Sequence, residues 1–215
     1  MNHPSFPGPA LALLPFTLML ACAAIDWCFR HRALKFWGVV QGACMLASLA
    51  AMVSLGLQLA QEPNPAAGAY TQTLPGLAIG LWGAWLALLV QGLGTVIAGF
   101  SSRYLQGEPG QARYVAALSG VLAAVQLLLL ADHWAVLIAA WAWAGFALHR
   151  LLCFYSDRPF AALAAHKKFL ADRLADGFLM GAAGLASQEV GSGSISELLL
   201  HVEVHGANAS LQACA

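Results

Sequence analysis

The chain has 215 residues, of which 60% are hydrophobic and only 9% charged, with a formal net charge of zero and a mean hydropathy of +0.71. Soluble domains carry about 25% charged residues because their surface faces water. This chain has too few to cover a water-facing globule, so lipid must supply much of its solvent. The balanced charge and the lack of a basic motif exclude a nucleic-acid-binding role.

Spanning about 30 Å of hydrocarbon takes roughly 20 helical residues. Met1 to Pro9 contains no Lys or Arg. A secretory signal needs a positive leading segment, so the first apolar run, Leu11–Phe29, is expected to be a retained span. Arg30-His31-Arg32 closes it. The second span, Phe36–Leu59, ends before Gln61-Glu62-Pro63-Asn64-Pro65. The third, Leu77–Phe100, ends before Gln106-Gly107-Glu108-Pro109-Gly110. Asp132-His133, a tight polar turn, separates the fourth span, Tyr114–Ala131, from the fifth, Trp134–Tyr155. Asp157-Arg158-Pro159 leads to the sixth, Phe169–Ala186.

The sixth span carries Asp172, Arg173 and Asp176 in its first half, and Gly177, Gly181 and Gly184 thin its apolar surface. Such a helix is expected to pack inside a bundle, where small residues let backbones approach. Gly177-x-x-x-Gly181 and Gly76-x-x-x-Gly80 fit that use. Beyond Ser187 the chain turns polar, and Leu198-Leu-Leu-His-Val-Glu-Val-His reads as a short interfacial helix or extended stretch. Leu211-Gln-Ala-Cys-Ala looks like the start of another apolar helix, which suggests a truncated polypeptide. The fold class is an all-α integral membrane protein of about six transmembrane helices, with a three-helix segment at 1–100 and a second, incomplete segment at 101–215. Of the five cysteines, none forms a Cys-x-x-Cys pair, and they read as small packing residues.

Orientation follows from the excess of Lys and Arg in cytoplasmic loops. When connections alternate between sides, Arg30, Arg32, Lys35, Arg103, Arg113, Arg158, Lys167 and Lys168 share one side. Arg150 and Arg173 lie toward it within helices, which accounts for all ten basic residues. The opposite connections carry Glu62, Asp132, Glu189, Glu197 and Glu203. The reading is an N-terminus outside and basic loops in the cytoplasm.

Ionisable residues inside spans are costly and therefore informative. His149-Arg150, near the end of the fifth span, suits either a snorkelling cation or a polar contact in the bundle. With Arg158 in the adjoining loop, these residues are also candidates for docking a cytoplasmic partner. Lys168, Asp172 and Asp176 are spaced by four and line one helical face, with Arg173 one step around. Asp176 is the deepest acid, about two turns beyond Lys168. It suits either ion translocation or a structural ion pair. His201, Glu203 and His205 would share a face in a strand, but no nearby Cys or Asp completes a tetrahedral set, so no metal site is expected. Gly92-Leu-Gly94 lies in an apolar span, where the glycines read as packing residues. No catalytic residue and no cofactor are assigned.

Gly99-Phe-Ser-Ser-Arg-Tyr-Leu resembles the tyrosine-serine segment closing the third helix of the antiporter-like NuoL-type subunits of respiratory complex I. Trp141-Ala-Trp-Ala-Gly145 and Phe154-Tyr155 lie where that family has Trp-Glu-Gly-x-Gly and Phe-Tyr. Ala165-His-Lys-Lys-Phe-Leu-Ala-Asp-Arg-Leu-Ala-Asp176 looks like its Lys-x-Phe and Arg-x-Gly-Asp approach to the next helix. Lys167, Arg173 and Asp176 match position by position. The family's buried Glu falls on Ala142. That departure, with Leu148-His-Arg-Leu-Leu-Cys-Phe-Tyr155 and Ala164-Ala-His-Lys-Lys-Phe169, is more similar to DabB, the NuoL-related membrane subunit of inorganic carbon accumulation complexes.

The resemblance covers Ala98 to Ala215 well and the first two helices in hydropathy alone. It implies H+ or Na+ conduction through Lys167, Lys168, Asp172, Arg173 and Asp176. It also implies a cytoplasmic zinc-containing partner, the carbonic-anhydrase-like DabA, that hydrates CO2, and a home in the cell inner membrane. Complete members carry two inverted repeats of five helices, which implies an N-terminal fragment here. The alternatives are a NuoL-type or Mrp-like proton-translocating subunit, and a membrane anchor that only tethers a cytoplasmic protein.

Overall fold

The computed structural model describes residues 8–29, 37–61, 70–108, 110–154 and 159–206. Arg30, Arg32, Lys35, Glu62, Arg158 and the stretch Leu211 to Ala215 lie outside them. The elements are α1 (Gly8–Phe29), α2 (Trp37–Gln61), β1 (Tyr70–Leu74), β2 (Leu77–Gly80), α3 (Leu81–Tyr104), α4 (Gln111–Leu130), α5 (Trp134–Leu152), α6 (Pro159–Val190) and α7 (Ile195–His205). The chain is an all-α membrane protein with one small hairpin. Among the described residues, α3, α4 and α5 are long and apolar enough to cross a membrane, and apolar stretches Ala12–Ala24 and Gly38–Val53 lie within α1 and α2.

The helices α1, α2, α3 and α4 each pack on the next, and α4 packs back on α1. This closed ring buries Met19, Cys22, Cys44, Ala98, Val115, Leu118, Leu122 and Ala123. Eleven of the twenty residues of α4 are buried, which makes it the central helix. Gly94 is a packing residue, as its span suggested: a Cβ there would lie 2.8 Å from Leu122 Cδ2. Gly92, by contrast, faces open space. From α4 the chain builds outward, with α5 on α4, α6 on α5 and α7 lightly on α6.

Three buried amides cross the ring. Gln91 donates from Nε2 to Gln41 Oε1 at 2.6 Å. Gln126 donates to the Ala87 carbonyl at 3.1 Å and to Gln91 Oε1 at 3.5 Å. All three residues are at most 1% exposed. In lipid an unpaired amide is expensive, so this chain of amides fixes the register of α2, α3 and α4 where apolar contacts alone discriminate weakly.

Four expectations need correction. Leu77–Gly80 belongs to a hairpin rather than to the third span, and pairs with Tyr70–Leu74 in antiparallel register. The cause is Pro75-Gly76, a turn pair in which Gly76 has φ +79°, a region favouring glycine. Gly76 and Gly80 are therefore a turn residue and the N-cap of α3, not a helix contact. The connection read as running to Lys168 is helical from Pro159 onward, because proline suits a first helical position. Finally, α6 lies at the edge. It packs along α5 while Phe160, Leu163, Leu170, Leu174 and Phe178 stay exposed, and a Cβ on Gly177, Gly181 or Gly184 would meet nothing. The charges of α6, rather than its glycines, determine which side meets α5.

Candidate functional site

The charged side of α6 faces two small residues of α5. A Cβ on Gly145 would lie 3.2 Å from Arg173 Nη2 and 3.3 Å from Asp172 Oδ2. Glycine there lets the charged groups approach the α5 backbone. Three residues earlier on α5, Ala142 offers its carbonyl, to which Arg173 donates from Nη2 at 3.5 Å. The position at which the NuoL-type pattern would put a Glu is thus a methyl group, and the guanidinium reaches the main chain beside it.

Two ion pairs organise the cluster. Lys168 pairs with Asp172 one turn later. Arg173 Nη2 lies 2.9 Å from Asp176 Oδ2. Arg173 also stands over the Phe169 ring, 5.0 Å from its centroid. The spacing of Lys168, Asp172 and Asp176 did place them on one face, but the partner of Asp176 is Arg173, which completes the cluster rather than standing aside. Asp176 is 6% exposed. Its Oδ1 and the Nε of Arg173 are buried without a hydrogen bond. Lys167 is exposed.

The cluster continues toward the start of α6 through aromatic rings. Phe169 stands 4.7 Å from the His149 ring, which meets His166 edge-on at 5.4 Å. His149 donates from Nδ1 to the Ala165 carbonyl at 3.3 Å, which leaves Nε2 to accept from the Cys153 thiol at 3.7 Å. His149 therefore faces α6, whereas Arg150 lines a groove bounded by α1, α4 and α5. The structure does not bring these adjacent candidates together. A third partner-contact candidate, Arg158, is outside the described residues.

Chemically, the cluster is a neutral set of two cations and two carboxylates in which one oxygen of the deepest acid has no fixed partner. That oxygen can accept a proton or a cation, as intramembrane carboxylates on ion pathways do. Among the described residues no group of His, Cys, Asp and Glu could hold a metal. His201 and His205 lie one turn apart on α7 with stacked rings.

A second polar centre escaped the sequence reading. Asp132, 7% exposed, accepts from Ser196 N at 3.0 Å, from Ser196 Oγ and from Ser194 Oγ at 3.4 Å. Its own N–H donates to the Gly76 carbonyl at 2.9 Å, and its carbonyl accepts from Ile195 N at 2.8 Å. Asp132 thus ties the hairpin, the α4–α5 turn and the start of α7. The available signal was Ser194-x-x-Glu197, the pattern of a helix N-cap.

No family model matches the chain. It is 38% identical over 117 residues to the probable inorganic carbon transporter subunit DabB2 of Halothiobacillus neapolitanus, which covers 54% of this chain and 21% of that protein. It is 33% identical over 171 residues to NADH-quinone oxidoreductase subunit L of Mycobacterium tuberculosis, covering 78% of this chain and 24% of the relative. A chain of the Mrp complex from Dietzia superposes with a TM-score of 0.69 and 21% identity, over 94% of this chain and 22% of that one. The chain therefore spans about a fifth to a quarter of the length of these proteins. It is related in sequence to the DabB and NADH-quinone oxidoreductase L subunits, and its all-α membrane fold is the one seen in the Mrp complex.

Proposed function

We propose that this chain is part of an ion-translocating membrane subunit that drives inorganic carbon accumulation through a cytoplasmic zinc-containing, carbonic-anhydrase-like partner. The observation that carries it is the Asp176–Arg173 pair, buried against α5 with one carboxylate oxygen unpartnered. Arg173 holds three contacts at once: the Asp176 carboxylate, the Ala142 carbonyl and the Phe169 face. When the guanidinium shifts toward the carbonyl, the carboxylate is left open to a passing ion. When it returns, that ion is displaced. Lys168 and Asp172 stand between this pair and the exposed Lys167, and form the polar approach. Similarity to the DabB-named proteins at 37% and 38% identity supports the carbon-linked version of this reading.

The partner is tested by co-purification. A tagged complete protein, solubilised from its native membrane, is expected to bring down a zinc-containing cytoplasmic protein in stoichiometric amount. Recovery of quinone-reductase subunits and no zinc protein would replace this reading with the second one, a complex I or Mrp-like proton-translocating subunit. That second reading has its own support, since the subunit L alignment covers more of the chain. Ala142 weighs against it, because the NuoL-type pattern places a carboxylate there.

We also propose an inner-membrane location with the N-terminus outside, on the one-sided placement of the basic residues. A single cysteine placed at Arg103 in the last turn of α3 should resist an impermeant maleimide in intact cells and react after permeabilisation. Labelling in intact cells would reverse the topology.

A further inference from the structure

Along α3 the buried and exposed residues separate onto two faces. Ala84, Ala87, Gln91, Ala98 and Ser101 are buried. Through Gln91 and Gly94 this face meets α2 and α4. At about 100° per residue, the opposite side carries Trp82, Trp85, Leu89, Leu93, Val96 and Phe100, and Tyr104 closes it. All seven are exposed, from 53% at Trp85 to 83% at Trp82. They fall within a stripe about 120° wide, and no polar side chain lies on it between Trp82 and Phe100.

A continuous exposed apolar face marks an interaction, and the residue types on this one identify the partner. Helix contacts in membranes favour small residues, which let backbones approach, and polar side chains that bond across. The stripe offers neither: its centre is large aliphatic residues, and Gly92 and Gly99 stand at one margin. Its aromatic residues sit at the two ends instead. Trp82 and Trp85 hold one end, and the stacked rings of Phe100 and Tyr104, 5.6 Å apart, hold the other beside Arg103. Trp and Tyr concentrate at both interfaces of a bilayer. The nineteen steps of α3 from Trp85 to Tyr104 rise about 28 Å, close to the hydrocarbon thickness of about 30 Å. A protein surface would impose no such order or spacing. The exposed side of α6 lacks this pattern, because Lys167 and the open glycines 177, 181 and 184 interrupt it.

We propose that this stripe of α3 is a lipid boundary of the complete protein, covered by acyl chains, with Trp82 and Trp85 at one headgroup level and Tyr104 at the other. Further helices of the complete protein and its partner subunits attach on other faces.

The test is collision accessibility of spin labels in the complete protein with its co-purifying partners, reconstituted in lipid bilayers. Single cysteines replace chosen residues after the native cysteines are removed. Labels at Leu89, Leu93 and Val96 should meet oxygen severalfold more often than a label at Ala87 on the buried face. A water-soluble nickel chelate should reach them severalfold less often than labels at Trp82 and Tyr104. Oxygen access at Leu93 as low as at Ala87 would show another polypeptide on the stripe and overturn the proposal. High nickel access at Leu93 would overturn it in favour of water. A wild-type experiment guards against variants that do not fold: phosphatidylcholine with a photoreactive acyl chain should label α3 within Leu89–Phe100. Labelling of other helices with none on α3 would also overturn it.

Discussion

Asp176→Asn in the complete protein is expected to abolish gradient-dependent carbon uptake, while expression, membrane insertion and partner binding persist. Asparagine keeps the size of the side chain and one acceptor oxygen, and it replaces the other oxygen and the charge with a donating NH2. The change also strips Arg173 of its counter-charge. Breaking a buried pair costs about 3–5 kcal/mol. Here the Arg173 side chain is 37% exposed and keeps the Ala142 carbonyl and the Phe169 face, so the cost falls below that range. Some loss of stability therefore accompanies the loss of activity. The double variant Arg173→Gln/Asp176→Asn separates the two effects. It should recover most of the stability, because no buried charge is left alone, and recover none of the uptake. Asp172→Asn, whose carboxylate pairs with the half-buried Lys168, should be milder. If the double variant regains uptake, Asp176 serves only as a structural counter-ion.

Asp132→Ala is expected to release α7 from the rest of the molecule. Three donors lose a buried carboxylate, and the start of α7 loses the negative charge that favours a helix N-terminus. Hydrogen bonds to charged groups contribute about 1.5–3 kcal/mol each but are not additive, so the expected cost is about 2–4 kcal/mol. Limited proteolysis in detergent reads this out. The variant should be cut within Gly191–Ser196 at protease levels that leave wild type intact, while α3, α4 and α5 stay protected. Asp132→Asn retains one acceptor oxygen for Ser196 and should be cut at an intermediate rate. Equal protection of wild type and Asp132→Ala would show that α7 is held by other contacts.

The long apolar spans were legible because a 20-residue apolar run with few charges has one stable solution in lipid. The ends of those spans were less so. Leu77–Gly80 runs without a polar break into α3, so its strand character rested on Pro75-Gly76 alone. His201-Val-Glu-Val-His205 alternates like a strand, and the Ser194 cap sets its helical state instead. In the site, spacing by four gave the shared face of Lys168, Asp172 and Asp176. It did not give the Arg173–Asp176 pairing at a spacing of three. Nor could it give the contribution of α5, since Ala142 and Gly145 act by being small and by exposing backbone. His149 and Arg150 looked like one feature, but successive helical residues stand about 100° apart, and they face different neighbours. Gln41, Gln91 and Gln126 carry no charge, so a search for ionisable residues passed over three amides in three separate spans.

The most direct test of ion translocation through this region is flux in proteoliposomes. The complete subunit with its partner is reconstituted with an imposed H+ or Na+ gradient, and dissipation is followed by a trapped ion indicator. Wild type should dissipate one of the two gradients, and Asp176→Asn, prepared to equal density and shown by circular dichroism to keep its helical content, should hold that gradient at the level of empty vesicles. Equal dissipation by wild type and Asp176→Asn would contradict a role for the α5–α6 carboxylate in moving the ion.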